Sequence, residues 1–259
     1  MTNRMQNIDL YKIFFRCFLV QGSWNFKSLL GLGFCFSAIP VMKRLYHTPE
    51  EQSAFLARHL TFFNAHPYFA SWCLGAVAKL EEEALLRQWP DTNPISVFKE
   101  RLAGPLGSIG DQYFWNGLKP LTSGIGVTLG ILTGWLAIPV FFLVYNIPHI
   151  YIRFKGLWLG YKKGFDIISD LSLRKFSHVF QTISALGVLV AGLCVSVAAK
   201  WNWQQSDEHL AIFLITVVVT LLSLHRQKNV TFALVLSLLL GIAFVILKNL
   251  IHSTENIPL

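Results

Sequence analysis

Charged side chains are scarce in this sequence. Asp, Glu, Lys and Arg make up 14% of its 259 residues, against roughly 25% in ordinary globular domains. With 53% hydrophobic residues and a mean hydropathy of +0.48, a typical soluble domain of this length is excluded. Paired cysteines are missing as well. Cys17, Cys35, Cys73 and Cys194 are far apart in apolar surroundings, form no CxxC and offer no metal-ligand spacing, so they read as buried thiols. There is no GxxxxGK[ST], no GxSxG and no HExxH. Gly104, Gly107 and Gly110 are spaced G-x-x-G-x-x-G, which is not the dinucleotide fingerprint, and none of the histidines sits in a phosphoacceptor context. The residues therefore point to no catalytic set, no cofactor and no metal. The net charge of +8 raises nucleic acid as a partner, but no basic stripe interleaved with aromatics is present. Basic cytoplasmic loops of a membrane protein account for that charge better.

What the sequence does have is apolar length. No Asp, Glu, Lys or Arg occurs from Pro120 to Ile152, and Gly134 and Pro139 offer places to bend so long a run. A helix needs about 20 apolar residues to cross a hydrocarbon core, which makes 127–145 the best span here. Three more apolar segments follow at 177–199, 210–224 and 230–247. The second is marginal in length and needs His209 and His225 near the interfaces. Arg153, Lys155, Lys162, Lys163, Arg174 and Lys175 face only Asp166 and Asp170 across 153–175. Positive-inside bias puts that loop and the 226–228 turn in the cytoplasm. The 200–209 loop, with Trp201 and Trp203 as interfacial anchors, and the C-terminus are then expected outside. Residues 1–120 hold twelve basic and nine acidic side chains, and residues 121–259 hold ten and five, clustered between apolar runs. The chain thus divides into an amphipathic region with the polar motifs, 1–120, and a transmembrane region, 121–259, with its basic loop at 153–175.

Residues 8–19 place Ile8, Tyr11, Phe15, Phe18 and Leu19 on one helical face, with Asp9, Lys12 and Arg16 elsewhere. That is an amphipathic helix for a membrane interface or for a partner, and its charges argue against a cleavable signal peptide. Gln21, Ser23, Trp24 and Asn25 form a polar cluster around one large aromatic. The run 28–42 is too short to cross. Thr48 or a nearby polar residue is expected to cap the next helix. Asn64-Ala65-His66-Pro67 disfavours helix before Pro67, and Glu81-Glu82-Glu83 reads as a solvated acidic patch. The helix after the 87–94 loop is expected to end at Lys99-Glu100-Arg101.

Gly104-Pro105-Leu106-Gly107-Ser108-Ile109-Gly110-Asp111 comes next. Three glycines and a proline within seven residues argue against an uninterrupted helix. Among apolar neighbours such a segment suggests a broken or re-entrant element, covered by protein or lining a polar cavity. A tight turn between two amphipathic helices is the plainer alternative. Asp111 either caps the following helix or accepts hydrogen bonds from a solute.

Taken together these residues resemble a known family. The chain looks like the IID subunit of the mannose/fructose/sorbose family of the bacterial phosphoenolpyruvate-dependent sugar phosphotransferase system (PTS). The resemblance runs from Arg16 through Gln21, Ser23-Trp24-Asn25, Gly33-Phe34 and Ile39-Pro40 to Arg58-His59-Leu60. It continues with Phe62-Phe63-Asn64-Ala65-His66-Pro67, Leu80-Glu81-Glu82, Gly104–Asp111, Gly160-Tyr161 and Gly164. Asn-x-His-Pro combined with the later Gly-Pro-Leu and Ile-Gly-Asp is the specific part. Family members usually carry Thr at Ala65 and Ala-Gly at Gly107-Ser108.

The resemblance implies an all-α, polytopic integral membrane protein of the bacterial cytoplasmic (inner) membrane. It would have amphipathic N-terminal helices, re-entrant or broken helices and C-terminal transmembrane helices. It implies a IIC membrane partner, assembly as a trimer of IIC–IID heterodimers, contact with membrane lipid and movement of a hexose or hexose derivative. Phosphoryl transfer would belong to separate IIA and IIB components, leaving this chain non-catalytic. Candidate sugar-contacting residues are Asp111, Asn64, His66, Ser108, Gln21, Trp24 and Asn25. Gly104, Pro105, Gly107, Gly110 and Pro67 are the expected structural breaks. Two other classes compete. A receptor or assembly protein without a solute path would expect no polar residues at membrane depth. A membrane enzyme acting through Asp111 would need a second acid, base or metal beside it.

Overall fold

The computed structural model describes residues 4–205, 211, 213–219, 222, 235–236, 239–240, 242–243 and 246. Among them the regular structure is helical, with only isolated bridges at Asn25–Leu29 and Leu29–Phe63. In chain order the helices are α1 (Asn7–Arg16), α2 (Gly31–Leu45), α3 (Pro49–His59), α4 (Ala70–Leu86), α5 (Asn93–Gly110), α6 (Lys119–Thr133), α7 (Ala137–Lys163) and α8 (Leu173–Gln205). A π-helix, Asp111–Leu118, joins α5 to α6, and 3-10 turns fill Cys17–Leu19, Gly134–Leu136 and Gly164–Asp170. Two stretches, Asn93–Asp170 and Leu173–Trp201, each hold a helical segment apolar and long enough to cross a membrane. The chain divides into two compact units, Met1–Gly126 with Trp135–Val190, and Val127–Gly134 with Ala191–Leu259.

Local chemistry explains several boundaries. Thr48 caps α3 as expected: its Oγ1 accepts the Glu51 N–H at 3.2 Å, while Glu51 Oε2 accepts the Thr48 N–H at 3.0 Å. The apolar run does bend at Gly134, which takes a positive φ of 64°. Gly164, at φ 54°, ends α7 in the same way.

In the first unit the core is organised by α4, which packs most extensively on α7. Both helices carry small residues where they meet. Any side chain at Gly75 would strike the Leu157 and Tyr161 backbone, and any at Gly160 would strike the Trp72 and Ala76 backbone. The two backbones therefore approach closely, as small-residue membrane interfaces do. Helix α1 lays Leu10, Ile13 and Phe14 into the core and leaves Ile8, Tyr11 and Phe15 exposed. The apolar face read from the sequence is thus the outward one.

Three expectations are corrected. The glycine–proline run does not end a helix, because α5 continues through it. Buried positions 95, 98, 99, 102, 106, 109 and 110 keep helical spacing across the run. Proline and glycine cost about 3 and 1 kcal/mol in a helix interior, but each large apolar side chain such as Leu102, Leu106 or Ile109 returns about 2 kcal/mol on burial. Departure from α geometry comes one residue later, in the π-helix. Next, residues 153–163 are not loop but the end of α7, and Arg153 is buried. Its Nε donates to His149 Nε2 at 2.9 Å, its Nη1 donates to the Cys17 carbonyl, and its guanidinium lies over the Phe18 and Tyr68 rings. Finally, Glu81 and Glu82 are not solvated; both are buried. Of the later spans, 210–224 is helical where described, and most of 230–247, the 226–228 turn and the C-terminus lie outside the described residues.

Candidate functional site

The sequence motifs converge on one cavity of about 390 Å³ in the first unit. Three segments build its wall. The turn after α1 contributes Gln21, Trp24 and Leu30; the turn before α4 contributes Asn64, Ala65, His66 and Pro67. The end of α5 and the start of the π-helix contribute Gly104, Gly107, Ser108, Asp111 and Trp115.

The two turns are tied to each other by backbone. Leu30 N–H donates to the Phe63 carbonyl at 3.0 Å, and Phe63 N–H donates to the Ser28 carbonyl at 3.2 Å. Asn25 holds the first turn from within: its Oδ1 accepts the N–H groups of Lys27 and Ser28, and its amide donates to the Ser23 carbonyl and Ser28 Oγ. It is absent from the cavity wall. Beneath the second turn the buried Lys99 donates to the His59 carbonyl at 3.0 Å and to Thr61 Oγ1 at 2.9 Å. Its ammonium also lies over the rings of Phe34 and Phe63.

His66 joins the turn to α5. Its ring stacks on Phe114 at 5.2 Å and fills the space left by Gly110, where any side chain would collide with it. Its Nδ1 accepts the Tyr68 N–H at 3.2 Å, which fixes the neutral tautomer with hydrogen on Nε2. That Nε2 is buried without a partner. Burial, then the nearby Arg153 charge, pushes His66 down to about 3, so the ring is uncharged at neutral pH.

Gln21, Asn64, Ser108 and Asp111 have no side-chain hydrogen bond within the described protein. Asp111 has helical dihedrals and sits between α5 and the π-helix, so no free helix N-terminus is there for it to cap. Of the expected breaks, Gly104, Gly107 and Pro67 line the cavity, Gly110 stands behind it against His66, and Pro105 is outside its wall. A π-helix is rare and marks functional sites disproportionately; this one delivers Asp111 and Trp115 to a single wall.

A second cluster was not visible in the sequence. Glu81 of α4 accepts Arg58 Nε and Nη2, both at 2.8 Å, the Tyr46 hydroxyl at 2.6 Å and His59 Nε2 at 2.7 Å. Burial alone would raise this carboxyl, but the hydrogen bonds from His59 and Arg58 and the Arg58 charge outweigh it and hold it down to about 2. Burial holds His59 below its ordinary value, so the ring stays neutral and donates through Nε2. The partners lie 22 to 35 residues from Glu81, a separation no local pattern reveals. Among the described residues, no three His, Cys, Asp or Glu side chains are grouped to hold a metal.

Comparison with known proteins places these features in context. The family model for the "PTS system mannose/fructose/sorbose family IID component" matches residues 4–250. A mannose-specific EIID component of Escherichia coli K12 is 34% identical over 200 residues, covering 77% of this chain and 70% of that protein. A sorbose-specific EIID component of Klebsiella pneumoniae is 36% identical over 75% of this chain and 70% of its own length. A fructose permease IID component of Bacillus subtilis is 33% identical over 77% and 71%. Among solved structures, a membrane protein superposes with a TM-score of 0.76 at 29% identity, covering 93% of this chain and 96% of that one. A chain of the mannose transporter ManYZ in complex with microcin E492 superposes with a TM-score of 0.61 at 28% identity, with the same coverage.

Proposed function

The chain belongs to the mannose/fructose/sorbose IID family of the sugar phosphotransferase system, and from that premise we propose that the cavity between Asn64 and Asp111 is its sugar contact. It is the IID component of a PTS permease of this type. One observation carries the assignment of the site: Gln21, Asn64, Ser108 and Asp111 border one cavity and have no side-chain hydrogen bond among the described residues. All four are exposed, so their polar groups are open to a solute that enters the cavity. A hexose offers hydroxyl donors to the Asp111 carboxylate, which can accept two of them, and hydroxyl oxygens to the donors Asn64 and Gln21. Trp24 and Trp115 supply flat apolar faces for the C–H side of a sugar ring.

The remaining assignments follow from membership. The chain works with a IIC subunit, as the two-component name of the ManYZ relative suggests, in a trimer of heterodimers in the bacterial inner membrane, among lipids and with several crossings. Phosphoryl transfer occurs on IIA and IIB, and this chain is non-catalytic. The basic end of α7 and the segment to Lys175 face the cytoplasm, and the C-terminus lies outside.

Asp111→Asn in the complex with IIC tests the site. Loss of charge-assisted hydrogen bonds worth about 1.5–3 kcal/mol lowers affinity for mannose, fructose or sorbose about ten- to hundredfold, while the complex still purifies intact. Normal uptake by both Asp111→Asn and Asn64→Ala at wild-type expression would overturn the site. Failure of the wild-type complex to bind any hexose would favour a receptor or assembly role.

A further inference from the structure

A second cavity, about 450 Å³, lies between α1 and α2. Its wall holds Lys12 and Arg16, one turn apart on α1, and Lys43 and Arg44, one turn beyond Pro40 on α2. Asp9 is the one carboxylate there, and it is engaged with Arg44 Nε at 2.7 Å. Four cations against one anion leave three positive charges unbalanced. Among the described residues, neither Lys12, Arg16 nor Lys43 has an acidic partner. Such a cluster repels itself unless an anion enters it.

The guanidinium of Arg16 is already placed. Its Nη1 donates to the Phe36 carbonyl at 3.1 Å and its Cζ lies 4.6 Å above the Phe36 ring. The remaining N–H groups of this planar fork suit phosphate oxygens. The surroundings are apolar and outward-facing: Phe15 is 68% exposed, one residue from Arg16, and Leu19 and Phe36 are exposed beside it. A free inorganic anion has no use for that rim. A lipid uses both parts, with its phosphate among the cations and its acyl chains over the aromatics.

We infer that the α1–α2 groove binds the headgroup phosphate of an anionic phospholipid. Occupancy holds α1 flat at the headgroup level, its outward Ile8, Tyr11 and Phe15 turned to the acyl boundary. This inference is independent of the sugar cavity and requires only that the chain is a membrane component.

The test uses the delipidated protein, purified with its co-expressed membrane partner and titrated in detergent. Phosphatidylglycerol and phosphatidylcholine of identical chains are compared, with retained lipid counted by native mass spectrometry. Wild-type protein retains phosphatidylglycerol preferentially. Each cation removed from an anionic-lipid site weakens it about five-fold, so Lys12→Gln/Lys43→Gln loses about twenty-five-fold. Lys12→Gln alone, at an exposed position, loses about five-fold and serves if the double variant misfolds. Lys27→Gln, which removes an exposed charge elsewhere, leaves retention unchanged. Equal retention of the two lipids, wild-type retention by the folded Lys12 variants, or an equal loss in Lys27→Gln would overturn the inference. Binding of inorganic phosphate alone, with displacement of the lipid, would reassign the groove to a soluble anion and overturn it too.

Discussion

His59 Nε2 and Glu81 Oε1 lie 2.7 Å apart, and solvent reaches neither side chain. The same carboxylate faces the bidentate fork of Arg58, whose side chain is 11% exposed. This cluster pins α3 to α4 immediately before the turn that carries Asn64.

Removing the carboxylate leaves Arg58 buried without its counter-charge. Glu81→Gln is expected to destabilise the protein by about 3–5 kcal/mol, the usual cost of breaking a buried pair from one side. Thermal unfolding of the purified complex reads this. A melting temperature within experimental error of wild type would refute the role given to Glu81.

The cluster also sets an acid limit. Glu81 is held at about 2 against an ordinary value of 4.5, so its contribution is complete above pH 4.5 and is lost as pH falls toward 2. His59 is likewise lowered from 6.5, so the unfolded chain gains a proton first and stability begins to fall below pH 6.5. Melting temperature should therefore be level from about pH 7 to 8, where Lys99 begins to titrate, and decline steadily on acidification. In Glu81→Gln the decline below pH 4.5 should be shallower; an unchanged slope there would contradict the assignment.

Gly110 and Gly104 make opposite predictions within one helix. A side chain at Gly110 meets the His66 ring, whereas one at Gly104 meets nothing within 4 Å. Gly110→Ala should displace His66, lowering both melting temperature and sugar affinity. Gly104→Ala should be neutral or stabilise by up to about 1 kcal/mol through helix propensity. Equal stability of the two variants would count against the packing described.

Lys99 ties down the turn rather than touching the cavity. Lys99→Met keeps the volume but leaves the His59 carbonyl without its donor, so it should cost about 1–3 kcal/mol and free residues 59–67 locally. Hydrogen exchange across that turn should accelerate selectively, and sugar binding should weaken with it. Uniform exchange rates would show that the turn needs no such tether.

The wall of the candidate cavity was more legible than the scaffold around it. Asn64, His66, Ser108, Asp111, Gln21 and Trp24 could be gathered because a motif keeps its spacing whatever the tertiary path. Asn25 belonged to the same motif for a different reason, as the internal brace of a turn. The Thr48 cap and the Gly134 bend are local events, and local residues announced them. Glu81 misled because three consecutive acids look hydrated until Arg58, His59 and Tyr46 arrive from distant positions. The Gly104–Gly110 run misled because propensity favoured a break, while the continuous buried stripe from Ile95 to Gly110 sustained the helix.

Contact between the α4 and α7 backbones has a mechanical consequence. Gly75 rests on Leu157 and Tyr161, and Gly160 rests on Trp72 and Ala76. Sliding either helix along the other by even part of a turn drives a larger side chain into main chain that cannot yield. The pair behaves as one stiff beam, with the His66–Pro67 turn fixed at the head of α4. Any rearrangement of this unit must swing the beam whole, and the flexing has to occur at joints elsewhere in the chain.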